Sequence, residues 1–233
     1  VTPASHAIGK AFRAYEAAID LFPVDLWARV GSRVLRKAPR SLYGHGHAAG
    51  YQPLRRAIAE YVGASRGVHC SAEQIIVTSG VQQALTLAGH FLLGPGEQVW
   101  MEDPGYSGAL QTLRATGASI VPVPVDNDGI IVKAGRKLAP NAKLAYVTPA
   151  NQFPMGVTMS VDRLLELLRW AASANAWIIE DDYDGEYRYS GYPVAALQSL
   201  DKSGCVIYVG TFTKVLFNGL RLGFMILPER LVE

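Results

Sequence analysis

The chain has 233 residues, a formal net charge of +2, 49% hydrophobic residues and 18% charged residues. This length can hold one large domain with a substantial core, and the composition excludes a disordered chain. The small net charge gives no support for a nucleic-acid-binding surface, and no apolar run reaches membrane-spanning length.

Cys70 and Cys205 lie far apart and form no CxxC pair. They are expected to be buried thiols in a reducing compartment. No signal peptide opens the chain, so a cytoplasmic location is expected. The sequence starts at Val1 without a methionine and stops just after a strand-like run. It therefore reads as a piece of a longer protein.

Residues 1–40 are helical in character. Pro23 near a helix start and Asp25 in the first turn suit a positive N-terminal dipole. The basic run Arg29, Arg33, Arg36, Lys37 and Arg40 reads first as a solvated helix face, and second as an interdomain or dimer contact. A glycine-rich loop, Tyr43 to Tyr51, follows. Its His45 and His47 have nothing nearby to complete a zinc set. The spacing of Leu54, Ala57, Ile58 and Tyr61 predicts a helix from about Pro53 to Val62.

From Gln74 onward the pattern alternates. Seven short apolar runs predict strands at 75–78, 98–101, 120–123, 144–147, 177–180, 206–209 and 223–227. Helical stretches at 82–92, 108–116 and 161–174 separate several of them. This predicts a three-layer α/β/α sandwich around a seven-stranded, mostly parallel sheet. The last strand follows its predecessor too closely for a crossover helix, so it is expected to run antiparallel.

Ligands of open α/β sheets bind at the carboxyl ends of the strands. There the chain offers Thr78-Ser79-Gly80-Val81, a hydroxyl and a glycine opening a helix, which suits an anion. It offers Tyr106 after Pro104-Gly105, the amides of Asn151 and Gln152, the acidic run Glu180 to Glu186, and Thr211, Thr213, Lys214 and Arg221. Lys214 stands in a mostly apolar stretch with Arg221 nearby, a setting that disfavours its ammonium form. A neutral lysine amine can hold an aldehyde as an imine, and a carboxylate can keep a pyridine nitrogen protonated. An arginine at a helix N-terminus can hold a phosphate. The set matches the needs of pyridoxal phosphate. No GxGxxG, GK[ST] or GxSxG motif supports a nucleotide enzyme or a serine hydrolase.

In order and spacing, seven motifs resemble the fold-type-I, class I/II aminotransferases. They are Phe22-Pro23-Val24-Asp25-Leu26-Trp27, Gly50-Tyr51-Gln52-Pro53-Leu54-Arg55, Thr78 to Ala84, Glu102-Asp103-Pro104-Gly105-Tyr106, Thr148 to Pro154, Glu180 to Tyr187 and Gly219 to Gly223. The pattern looks most like the aminotransferase-like domain of MocR-type regulators of the GntR superfamily. The resemblance covers nearly the whole chain. It implies a fold-type-I large domain over 41–233, with residues 1–40 packing on that domain or on a dimer partner.

The resemblance also implies roles for single residues. Lys214 would form the internal aldimine, Asp181 would pair with the pyridine nitrogen, and Tyr183 would bond the ring oxygen. Tyr106 would stack on the ring. Ser79, Gly80, Val81, Thr211 and Arg221 would hold the phosphate, with Asn151 and Thr213 also at the cofactor. Either Tyr43 or His45 would reach the phosphate of a partner subunit.

Three positions depart from the family pattern. Phe153 stands where aminotransferases carry the asparagine that contacts the ring oxygen, leaving Asn151 or Gln152 as the candidate substitute. Asn151 stands where the MocR pattern has a histidine. Gly108 stands where some relatives place an arginine for the ligand carboxylate. The implied partners are an amine or amino-acid effector or substrate and a second copy of the chain. Contact with DNA would be made only by a winged helix, which nothing in this sequence resembles. The same constellation would serve a sensor or a working aminotransferase.

Overall fold

The computed structural model describes residues 18–187 and 195–232. Two helices lead in, α1 (Val24–Lys37) and α2 (Gln52–Arg66). The sheet then begins: β1 (Ile75–Thr78), α3 (Val81–Leu92), β2 (Gln98–Asp103), α4 (Ser107–Ala115), β3 (Ser119–Asp126), β4 (Gly129–Ile130) and α5 (Val132–Leu138). It continues through β5 (Leu144–Val147), α6 (Val161–Ala174), β6 (Trp177–Asp182), α7 (Leu197–Leu200), β7 (Val206–Thr211) and β8 (Gly223–Ile226).

The sheet has eight strands in the order β1-β8-β7-β6-β5-β2-β3-β4, one more than the seven expected. The addition is β4, two residues long and antiparallel to β3. A two-residue strand is too short to leave a periodic signal. It forms because the β3–β4 turn closes on itself, with Asp128 N–H donating to Asp126 Oδ1 at 2.9 Å. Arg163 of α6 then donates to the carbonyls of Gly129 (3.0 Å) and Ile130 (2.6 Å). β8 runs antiparallel, as expected, and lies between β1 and β7.

Strand alternation sends successive side chains to opposite faces. Val99 and Met101 of β2 join a core with α3 and α4, while Trp100 between them joins the opposite core with α5 and α6. At the other end of that second face, α2 lays Ile58 and Val62 against Ile75, Tyr208 and Phe224. The result is the expected three-layer α/β/α sandwich. Of the two cysteines, Cys205 is buried, but Cys70 is only half-buried.

Helix ends follow local rules. α6 coincides with its expected limits. Ser160 Oγ caps it by accepting from Arg163 N–H, and Asn175 ends it in the left-handed region at φ 48°. α1 carries no buried residue. It meets the body through Phe22 and Trp27, whose rings both pack edgewise on Phe217. Among the described residues no helix is long and apolar enough to cross a membrane. The first 17 residues of the expected N-terminal segment lie outside the described residues.

Packing is close where α5 crosses Trp100. That indole stacks on Trp170 at 3.7 Å and donates to the Ala139 carbonyl at 3.0 Å. A Cβ at Gly135 would come within 2.8 Å of the Trp100 ring. Gly135→Val is therefore expected to lower stability by about 1–3 kcal/mol through overpacking. Urea unfolding checks this, and a midpoint equal to that of the parent contradicts it.

Candidate functional site

A cavity of about 270 Å³ opens at the carboxyl ends of the parallel strands. Of the residues expected there, Gly80, Val81, Tyr106, Asp181, Tyr183, Thr211, Thr213, Lys214 and Arg221 line it. Ser79 and Asn151 do not. The Ser79 carbonyl accepts from Arg221 Nη2 at 3.2 Å, and Asn151 Nδ2 donates to Asp184 Oδ2 at 2.6 Å. Tyr43 is exposed, with its hydroxyl 3.4 Å from the Leu35 carbonyl.

One end of the cavity suits an anion. Gly80 precedes α3 at φ 105° and no side chain caps the helix, so first-turn N–H groups point outward. Arg221, itself left-handed at φ 51°, lies against Gly80: a Cβ there would sit 2.9 Å from Arg221 Nη2. A Cβ at Gly223 would sit 2.9 Å from the Gly80 Cα. Glycine at both positions lets the guanidinium and the helix start close on one point. The Thr211 and Thr213 hydroxyls, 2.7 Å apart, stand on the same wall.

The acid side comes from β6. Glu180, Asp181 and Asp182 are consecutive and all buried. Glu180 accepts the N–H groups of Leu197 (2.7 Å) and Gln198 (2.8 Å) at the start of α7. Asp182 accepts from Arg66 Nε and the Tyr208 hydroxyl, each at 2.6 Å. Only Asp181 faces the cavity. Its Oδ2 accepts the Tyr146 hydroxyl at 2.5 Å, and its buried Oδ1 has no partner among the described residues.

Burial pushes the Asp181 carboxyl up to about 7, and the neighbouring Asp182 and Asp184 charges add to this. The Tyr146 hydrogen bond opposes the rise. Glu102, behind the cavity wall, is also raised to about 7 by burial, against the pull of its bonds from Thr148 and Gln152.

Lys214 is shifted down because its ammonium is partly desolvated, with the Asp184 charge acting the other way. The apolar setting invoked from the sequence is thus the main cause. Half-buried and lining the cavity with Asp181 and Tyr183, this amine can act as a nucleophile.

The aromatic wall is more connected than the sequence suggested. The Tyr106 hydroxyl accepts from Gln82 Nε2 at 3.0 Å, and Gln82 Oε1 in turn accepts from the Thr112 hydroxyl. Phe153 packs edgewise on Tyr106 at 5.8 Å and on Tyr183 at 6.2 Å. A side chain at Gly108 would run into the Tyr106 ring and Gln82.

Sequence reasoning missed Tyr146, Thr148, Gln82 and Asn218 as lining residues. For Tyr146 the placement comes from the register: it pairs with Ile179 across the sheet, so Asp181 is its diagonal neighbour.

Comparison with known proteins follows from this geometry. The family described as Aminotransferase class I and II matches residues 14–233. The probable rhizopine catabolism regulatory protein MocR of Rhizobium meliloti is 46% identical over 215 residues, which is 92% of this chain and 43% of that protein. The uncharacterized HTH-type transcriptional regulator YdeL of Bacillus subtilis is 43% identical over 212 residues, 91% of this chain and 45% of that one. The chain thus spans less than half the length of these two relatives. Among solved structures, the kynurenine aminotransferase of Pyrococcus horikoshii, in complex with PMP, superposes with a TM-score of 0.85 at 33% identity. That match covers 93% of this chain and 55% of the other.

The buried carboxyls fix a pH dependence. Asp181 and Glu102 titrate near 7 and Glu180 near 8 in the folded chain. Unfolding returns them to ordinary values of about 4. Between about pH 4 and 8 the folded chain therefore binds more protons than the unfolded chain, so stability falls as pH rises. The ligand-free protein is expected to melt at a lower temperature at about pH 8 than at about pH 5.5. A melting temperature that climbs over that interval contradicts the assignment.

Proposed function

The chain belongs to the class I and II aminotransferase family, and on that footing we propose that it is a pyridoxal-phosphate-binding, effector-sensing domain of a MocR-type transcriptional regulator. The observation that carries the cofactor reading is Asp181 Oδ1. Among the described residues it is a buried carboxylate oxygen without a partner, on the wall of a cavity that also holds a half-buried lysine and an anion seat. A buried polar atom left unpaired costs about 1–3 kcal/mol, and a protonated ring nitrogen would relieve that cost. The regulator reading rests on MocR and YdeL, both more than 40% identical over at least 91% of the chain.

Pyridoxal phosphate supplies an aldehyde that condenses with amines and a ring that delocalises negative charge. The residues divide the remaining work. Arg221, the α3 N-terminus around Gly80 and Val81, and Thr211 and Thr213 hold the phosphate, with Ser79 next to them. Tyr106 covers one face of the ring, held by Gln82. Asp181, fixed by Tyr146, keeps the ring nitrogen protonated. Tyr183 bonds the ring oxygen. Lys214 would provide the amine that holds the aldehyde of the cofactor. Asn151 acts one step removed, through Asp184.

A homodimer is part of the proposal. The supporting observation is α1, which leaves Leu26, Val30, Val34 and Leu35 exposed. The second reading is a catalytically active aminotransferase acting on an amino acid and a keto acid. It is favoured by the 33% identity and TM-score of 0.85 to a kynurenine aminotransferase. In that case the Lys214 amine would also carry a proton to and from the substrate α-carbon.

The full-length protein is expected to show a visible absorbance band with pyridoxal phosphate and to retain the label on Lys214 after borohydride treatment. Lys214→Ala should abolish both, and a parent protein that shows neither sinks the cofactor reading. Asp181→Ala should weaken retention about 10- to 100-fold, the scale of a hydrogen bond to a charged group. An added amine is expected to change the protein's affinity for DNA. Transamination at about 1 s⁻¹ or faster would favour the enzyme reading instead.

A further inference from the structure

The end of β6 and the segment after it are pinned to their surroundings at Asp182, Asp184, Glu186 and Tyr187. Asp182 is held by Arg66 of α2 and Tyr208 of β7. Asp184 is held by Asn151, and Glu186 accepts the Tyr61 hydroxyl of α2 at 2.8 Å. Gly185 lets the chain fold back over the buried pair: a Cβ there would overlap Asp182 Oδ1 and come within 2.8 Å of Arg66 Nε. At the end of the segment, Tyr187 donates its hydroxyl to the backbone carbonyl of Lys214 at 2.7 Å. Tyr183, which lines the cavity, sits inside this pinned segment.

We propose that residues 182–187 form a strut between α2 and the lysine turn, and that Tyr187 is a positioning residue for Lys214. The inference rests on the cofactor reading given above. Lys214 follows β7 in a turn closed by Leu216 N–H donating to the Phe212 carbonyl at 2.9 Å. A bond to the lysine carbonyl from the segment carrying Tyr183 fixes the spacing between amine and phenol. It does so from outside the cavity, without touching a ligand. The other end of the strut is a buried ion pair, Arg66 with Asp182, whose side chains are 5% and 2% exposed. That end gives the strut a rigid base, since breaking such a pair is strongly destabilising.

Tyr187 is 45% exposed, so Tyr187→Phe removes the hydroxyl with little change in packing. The test uses the full-length protein with pyridoxal phosphate as the probe. Affinity is read by visible absorbance, ring orientation by visible circular dichroism, and folding by the urea midpoint. Tyr187→Phe is expected to weaken affinity about fivefold, the equivalent of one hydrogen bond, and to change the circular dichroism band, with the urea midpoint kept. Unchanged affinity and an unchanged band overturn the inference. So does weaker affinity with a lowered urea midpoint and an unchanged band, which marks a purely structural role. If the parent protein shows no visible band at all, the cofactor reading fails, and that failure is seen without any variant.

Discussion

The structure depends on burying three consecutive carboxylates at the end of β6, a strand in the middle of the sheet. An unpaired buried charge is expensive, so each carboxylate needs its own compensation. Glu180 takes two backbone N–H groups at the α7 start, and Asp182 takes a guanidinium and a phenol. Both lie on the face opposite Asp181, because side chains alternate along a strand. Asp181 receives the Tyr146 phenol on one of its two oxygens. Glu180 is bonded on both oxygens, whereas among the described residues Asp181 Oδ1 and Asp182 Oδ1 are each without a partner, and of these two acids Asp181 is the one that lines the cavity.

These bonds tie the neighbourhood together. Glu180 draws in α7, and Asp182 draws in α2 and β7. Burial is the main cause of the raised Asp181 and Glu180 values, and repulsion from Asp182 adds to both. A ligand that placed a positive group against Asp181 would favour its charged form, and binding of such a ligand would stabilise the folded chain.

Much of this was legible in the sequence. Short apolar runs with intervening helical spacing gave the layers, and the strand-end rule brought nine of the eleven expected site residues to one cavity. Ser79 and Asn151 stand outside: the Ser79 hydroxyl donates to Gln83 Oε1 one turn on, and Asn151 is held by Asp184, a partner set by tertiary contact. The acidic run read as one cluster at a strand mouth. Its division into three separate roles needs the strand's alternation and the positions of α2 and α7, neither of which is a local property. Two-residue β4 and the phenol of Tyr146 escaped for related reasons. One is below any periodic window, and the other is an apolar-looking residue in an apolar strand whose polar tip finds a diagonal partner.

The anion seat shows how topology completes what motifs begin. The stretch 78–84 and the stretch 219–223 are more than 130 residues apart, and neither makes a site alone. β8 slots antiparallel between β1 and β7, so Gly223 pairs with Thr78 on one side and Thr211 on the other. This single register sets the Arg221 guanidinium beside Gly80 and the Thr211 hydroxyl on the same wall. A slip of one residue would turn the β8 side chains to the other face, and the close approach at Gly80 and Gly223 would be lost. The antiparallel strand, the one exception among the long strands of this sheet, is thus what converts a helix N-terminus into a three-sided anion site.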